Sequence, residues 1–282
     1  MNGSVAQTVP RSPAFYELAT PPEGRHSSYV RGQNFCVGHT RLDAGEYLSE
    51  TDLPDEHIVL VPEATEITIG MPGQAGTPVV GPALVIVPAG TSRSVAHGAA
   101  TLTRVFTTRS PDVVARADNN ALYEQPDHAV VPLPDRPPVP GPGTLRIHRA
   151  VDVPVDPDRF GRIFRTDSLM VNWFAPEYGP RDTDKLSPHV HHDFEQGSVT
   201  LWGDYTHHLR SPWTPRLREW RDDQHIRCTS PSVTVIPPGI VHTSRAVGGG
   251  VHHLVDVFAP PRADFAERGW VVNAADYAGS WT

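Results

Sequence analysis

Cysteine is scarce in this 282-residue chain, and lysine is nearly absent. The two cysteines, Cys36 and Cys228, form no CxxC pair, which excludes a disulfide framework and a cysteine-rich zinc site and leaves them as small buried hydrophobes. Lys185 is the one lysine among 24 basic residues, and 32 acidic residues leave a net charge of −8. No basic run is present to meet a phosphate backbone or an anionic membrane, so neither nucleic acid nor membrane is an expected partner. Long apolar runs are missing as well, none approaching the roughly 20 residues of a membrane-spanning helix. The start of the chain has no basic stretch followed by an apolar core, so no secretory leader is expected and the expected location is cytoplasmic.

Proline, by contrast, is abundant, with 30 residues against an average usage about half as large, and 23 glycines join it. Such frequent punctuation leaves little room for long helices and points to many short strands joined by turns. Short apolar runs fit that expectation: Ile58–Val61, Ile67–Ile69, Leu84–Val87 and Leu102–Phe106 in the first half, then Leu169–Val171, Val199–Trp202, Val233–Ile236 and Val251–Phe258. Pro111–Leu122 is the one candidate helix of the first half. Between 126 and 142, 7 of 17 residues are proline, a composition that favours an extended linker. The expected organisation is an N-terminal arm or edge segment over 1–28, a first barrel over 29–125, a linker over 126–143, a second barrel over 144–260, and a tail over 261–282. Val85-Ile86-Val87-Pro88-Ala89-Gly90 matches Thr234-Val235-Ile236-Pro237-Pro238-Gly239 at an offset of 149, as expected for a duplicated all-β unit.

Nine of the 15 histidines lie between 189 and 253. In a strand, residues two apart share a face, so His189 and His191 can point together into a barrel. His242, after the Pro237-Pro238-Gly239 turn, can bring a third imidazole. Three nitrogen ligands suit one first-row divalent ion, Fe, Mn, Ni or Zn, with positions left for substrate.

His189-x-His191, followed by an acidic or amide residue and then Gly203, resembles the first motif of the cupin superfamily. Pro237-x-Gly239-x-x-His242 resembles its second. The resemblance covers about 145–260 well and the first half weakly. It implies an all-β chain of two tandem double-stranded β-helix (jelly-roll) barrels, with the metal in the second. It also implies a fourth ligand after His191. Glu195 and Gln196 are both candidates, and the spacing back from Gly203 favours Gln196. In the first half the same alignment sets Glu56 against Gln196 at an offset of 140, and Arg93 against His242. That barrel is therefore expected to lack a metal and to serve as a structural unit or a secondary anion pocket.

The superfamily spans many chemistries, so fold alone does not settle function. The expected activity is Lewis-acid proton transfer on a small, anionic carbonyl or carboxylate metabolite, of the isomerase, lyase or cyclase type, with Glu195 or His208 moving the proton. A non-haem Fe(II) dioxygenase and a non-catalytic small-ligand binding protein are the alternatives. The second half carries about nine extra residues between its motifs, expected to form a lid in which Arg210, Trp213 and Arg218 meet the substrate. The family resemblance also suggests a homodimer.

Overall fold

The structure, a computed structural model, describes residues 10–19, 26–135, 143–156, 159 and 161–277. Parts of the expected arm and tail, and residues 136–142 of the expected linker, lie outside the described residues. Every apolar run singled out in the sequence forms a strand, and all strand pairs are antiparallel. The expected helix is shorter than its pattern. It runs over Pro111–Arg116, with proline in its first turn, and a 3-10 turn over Asn120–Tyr123 follows. No helix of the described residues is long and apolar enough to cross a membrane.

Two barrels stand in tandem, each with one large and one small sheet. In the first, a six-stranded sheet is built around His57–Val61, flanked by Ala83–Val87 and Ala100–Thr107, and a four-stranded sheet includes Tyr47–Leu53 and Gly90–Ala96. In the second, a seven-stranded sheet is built around Gln196–Trp202, flanked by Ser232–Ile236 and Val251–Phe258. Its small sheet joins Gln224–Cys228, Asp204–Arg210 and Val241–Val247.

The two large sheets pack face to face. Ile58, Leu60, Leu84, Ile86 and Val105 of the first meet Val171, Val199, Val233, Val235 and Val257 of the second in one shared core. The central strands are therefore buried on both faces. On Gln196–Trp202, Val199 and Leu201 enter this shared core, while Gln196, Ser198 and Thr200 point into their own barrel. Both cysteines are free and buried.

The barrels exchange edge strands. Ala14–Glu17 pairs with Ser232–Ile236 of the second barrel, and Arg146–Arg149 pairs with Ala83–Val87 of the first. This corrects two expected boundaries: residues near the start of the chain complete the second sheet, and the strand just after 144 completes the first. The described part of the linker is also packed. The Val131 amide donates to the Asp193 carbonyl, and Asn34 Nδ2 donates to the Val131 carbonyl.

Strand register corrects the internal alignment as well. His57 pairs with Val87 as Gln196 pairs with Ile236, so these strands correspond at an offset of 139 rather than 140. His57, not Glu56, holds the place of Gln196. The same offset sets Glu50 against His189, and Glu50 pairs with Ser92 where His189 pairs with His242. Arg104 pairs with Val59 where Asp256 pairs with Ser198, so Arg104 and Asp256 correspond. Glu56 turns outward, accepting from Arg146 Nη1 at 2.6 Å and from the Tyr277 hydroxyl at 2.8 Å.

Candidate metal centre

Residues around 180–195 are interrupted by Pro180 and Pro188 and form no regular strand beside the barrel. Backbone hydrogen bonds nonetheless place the histidines. His189 and His242 exchange both amide-to-carbonyl bonds, at 3.0 and 2.8 Å, as an isolated antiparallel bridge. The amide of Gly239, a residue at φ +82° where a side chain would be strained, donates to the His191 carbonyl at 2.6 Å. The motif glycine Gly203 is fixed by space: a Cβ there would come within 2.3 Å of His252 Nδ1.

One potential ligand atom from each of His189, His191 and His242 lies within 4.8 Å of the others. His189 Nδ1 donates to the Ser187 carbonyl and His242 Nδ1 to the Ile240 carbonyl, each at 2.9 Å. Carbonyls only accept, so both rings carry hydrogen on Nδ1, which leaves Nε2 as the atom that can face a metal. Nε2 of His242 is buried with no hydrogen-bond partner among the described residues. By the same rule His191 donates from Nε2 to Gln196 Oε1 at 2.9 Å, a hydrogen bond that metal binding would replace. Burial and the neighbouring imidazoles push His191 down to about 3, and burial with His189 pushes His242 down to about 4. Their rings thus stay neutral at neutral pH, the form a metal needs. An orphaned buried nitrogen, convergent imidazoles and an adjacent amide oxygen together fit a divalent transition ion.

Gln196 is itself held in place. Its Nε2 donates to Ser198 Oγ at 3.0 Å, and Ser198 Oγ donates to Asp256 Oδ1 at 2.7 Å. That chain turns the amide so that Oε1 faces His191. Burial pushes the Asp256 carboxyl up to about 6.

Glu195 does not join the site. Adjacent strand residues face opposite ways, and Glu195 points into the seam between the barrels. There it accepts from the Gln33 amide and from the Tyr123 hydroxyl, and burial pushes it up to about 7. His208 is likewise on the wrong face of Asp204–Arg210, its Nδ1 against His225 Nδ1 at 2.7 Å. His207, one residue earlier, is the inward ring, bonded to Ser244 Oγ at 2.8 Å.

The expected lid is an outward hairpin. Arg210 forms a fork to Asp223, Trp213 is 70% exposed and stacks on Trp220 at 4.5 Å, and Arg218 is exposed. None of the three lines the histidine cavity. Arg93 also points outward, over the Tyr47 ring at 3.6 Å.

The histidines and Gln196 open onto a cavity of about 520 Å³. Phe174, Phe265 and Trp270 contribute apolar wall, and Arg181, Arg262, Glu177 and Asp256 contribute charge. Arg262 reaches His191 Nδ1 at 3.4 Å and pairs with Asp264 at 2.6 Å. Arg181 Nη1 donates to the Ser244 carbonyl at 2.9 Å. Sequence reasoning missed these groups, although Asp256 carried a signal as the one acid in the apolar run Val251–Phe258. Arg262 and Trp270 belong to the stretch expected to be a tail, and nothing local marks them.

No protein-family model and no curated protein sequence matches the chain. Solved structures do match in fold. AerE from Microcystis aeruginosa superposes with a TM-score of 0.56 at 10% identity, covering 88% of this chain and 99% of its own. The formate complex of Lactobacillus farciminis oxalate decarboxylase gives 0.54 at 14%, covering 81% and 78%. An IolB-like protein from Salmonella typhimurium LT2 gives 0.53 at 12%, covering 88% and 93%.

Proposed function

From a chain with the two-barrel fold of the cupin superfamily, we propose a metal-dependent enzyme that moves a proton on a small carbonyl- or carboxylate-containing metabolite. His189, His191, Gln196 and His242 would hold one divalent transition ion. The observation that carries the reading is the convergence of three imidazoles and a neutral amide on a cavity that also holds Arg181 and Arg262. A bound ion supplies Lewis acidity, and a donor set without formal charge leaves its positive charge undiminished.

The chain's own residues divide the remaining work. Arg181 and Arg262 attract and orient an anionic group. Phe174, Phe265 and Trp270 exclude water from it. Asp256, buried beside the site, takes the proton-carrying role first expected of Glu195 or His208, its carboxylate accepting a proton from the substrate and returning it. Its link through Ser198 also keeps the Gln196 carbonyl oxygen turned inward.

Elemental analysis of untagged protein, followed by chelation and re-addition of single metals during a carbonyl-acid screen by NMR, tests the reading. The expected result is about one ion per chain and proton exchange or isomerisation that returns with the metal. Oxygen uptake with iron would replace it with the dioxygenase. A ligand-induced thermal shift without turnover would replace it with a binding protein.

A further inference from the structure

The first barrel has its own cavity, and its charged wall occupies positions equivalent to the metal centre of the second. Register sets Glu50 in the place of His189, His57 in the place of Gln196 and Arg104 in the place of Asp256. Arg104 is 1% exposed. Its Nη1 is paired with Glu50 Oε1, and its Nη2 donates to the Tyr29 hydroxyl at 2.7 Å and to Thr40 Oγ1 at 2.9 Å. Arg116 Nη1 closes the network from the rim, 3.2 Å from the Tyr29 hydroxyl and 3.3 Å from Glu50 Oε2. Among the described residues, Arg104, Arg116, Glu50 and Tyr29 line a cavity of about 760 Å³.

We infer that this cavity is a second, metal-independent binding site for a small organic carboxylate, with the Arg104 guanidinium as its fixed positive charge. The rest of this barrel is filled by apolar side chains such as Val59, Val61, Ile67, Val85 and Leu102, so closing the fold does not require a buried ion pair. Desolvating such a pair costs several kcal/mol per ion, and well-packed apolar residues usually serve stability as well or better. A charged wall facing unfilled space therefore points to a polar occupant.

The sign of that occupant follows from what is left over. Both oxygens of Glu50 already accept from guanidinium groups. Among the other lining groups, Arg104 Nε is buried without a partner among the described residues, Ser49 and Tyr47 add hydroxyls, and the Glu46 carboxylate accepts the Asp43 amide. Two guanidinium groups on the wall favour an acceptor, and a guanidinium matches a carboxylate in both charge and geometry. The inference stands apart from the metal reading, since no residue is shared between the two cavities.

Calorimetric titration of the full chain with succinate, used as the probe carboxylate, tests it. Wild type is compared with Arg104→Gln, Arg116→Gln and, for the other cavity, Arg262→Gln. Arg116 is half-exposed at the rim, so Arg116→Gln keeps the fold and carries the decision if Arg104→Gln does not fold; circular dichroism checks both. The expected result is saturable binding that persists in Arg262→Gln, weakens about tenfold or more in Arg116→Gln, and disappears in a folded Arg104→Gln. Absence of binding to wild type, binding unchanged in Arg116→Gln, or binding lost only in Arg262→Gln would each overturn the inference.

Discussion

Glu195 and Gln196 are neighbours in the chain that face opposite sides of one sheet: Gln196 Oε1 lies 2.9 Å from His191 Nε2, while Glu195 accepts the Gln33 amide in the seam between barrels. Metal should therefore follow residue 196. Gln196→Ala is expected to lower metal affinity at least about tenfold, and Glu195→Gln to leave metal content unchanged. Elemental analysis after dialysis reads both. Glu195→Gln should instead change the pH profile of stability. The folded carboxyl keeps its proton up to about 7 against an ordinary value of 4.5, so stability falls as pH rises between those values and levels above. Urea midpoints across that range should lose this slope in the variant.

Ser198 is expected to act through Gln196. Ser198→Ala removes the hydroxyl between the Gln196 amide and Asp256, and metal affinity should drop about 10–100-fold with the fold intact. Competition with a chromophoric chelator measures the drop. Ser198→Thr keeps a hydroxyl and should recover part of it.

His57 should contribute to acid sensitivity from within the first barrel. It is buried against the Phe106 ring at 5.2 Å, and burial with the Arg104 charge pushes it from 6.5 down to about 3. An unfolded chain takes up this proton below 6.5 while the folded one resists it until about 3. Stability contributed by the neutral ring is therefore complete above 6.5 and lost as pH falls, by up to about 1.4 kcal/mol per pH unit. His57→Gln should narrow the gap between urea midpoints at neutral and acid pH.

The hairpin bearing Trp213 should be dispensable for chemistry. Trp213→Ala removes one ring of an exposed stack, so stability should change by no more than about 1.5 kcal/mol, with kcat/KM for any substrate found unchanged. A large fall in kcat/KM would return the hairpin to the role of a lid.

Much of the fold was legible because Pro and Gly bound each apolar run, and the convergence of the three histidines because imidazoles two apart and a Pro-Gly turn are local features. Parity was harder to read. Glu195 against Gln196, His208 against His207, and Glu56 against His57 each turn on a single residue of register, which strand partners decide and spacing does not. Arg104 and Asp256 were missed for another reason: Arg104 is the one basic residue and Asp256 the one acid in a largely apolar strand, and the meaning of each depends on the wall it faces. The exchanged strands Ala14–Glu17 and Arg146–Arg149 carry no local sign of which sheet they join.

That exchange makes the chain laced rather than beaded. A cut within the proline-rich segment would send each half away carrying the strand that borders the other's sheet, leaving Ser232–Ile236 and Ala83–Val87 as raw edges open to foreign pairing. The two units are thus inseparable as parts: a barrel with the histidine triad and one without it that can diverge in their interiors while each remains hemmed by the other.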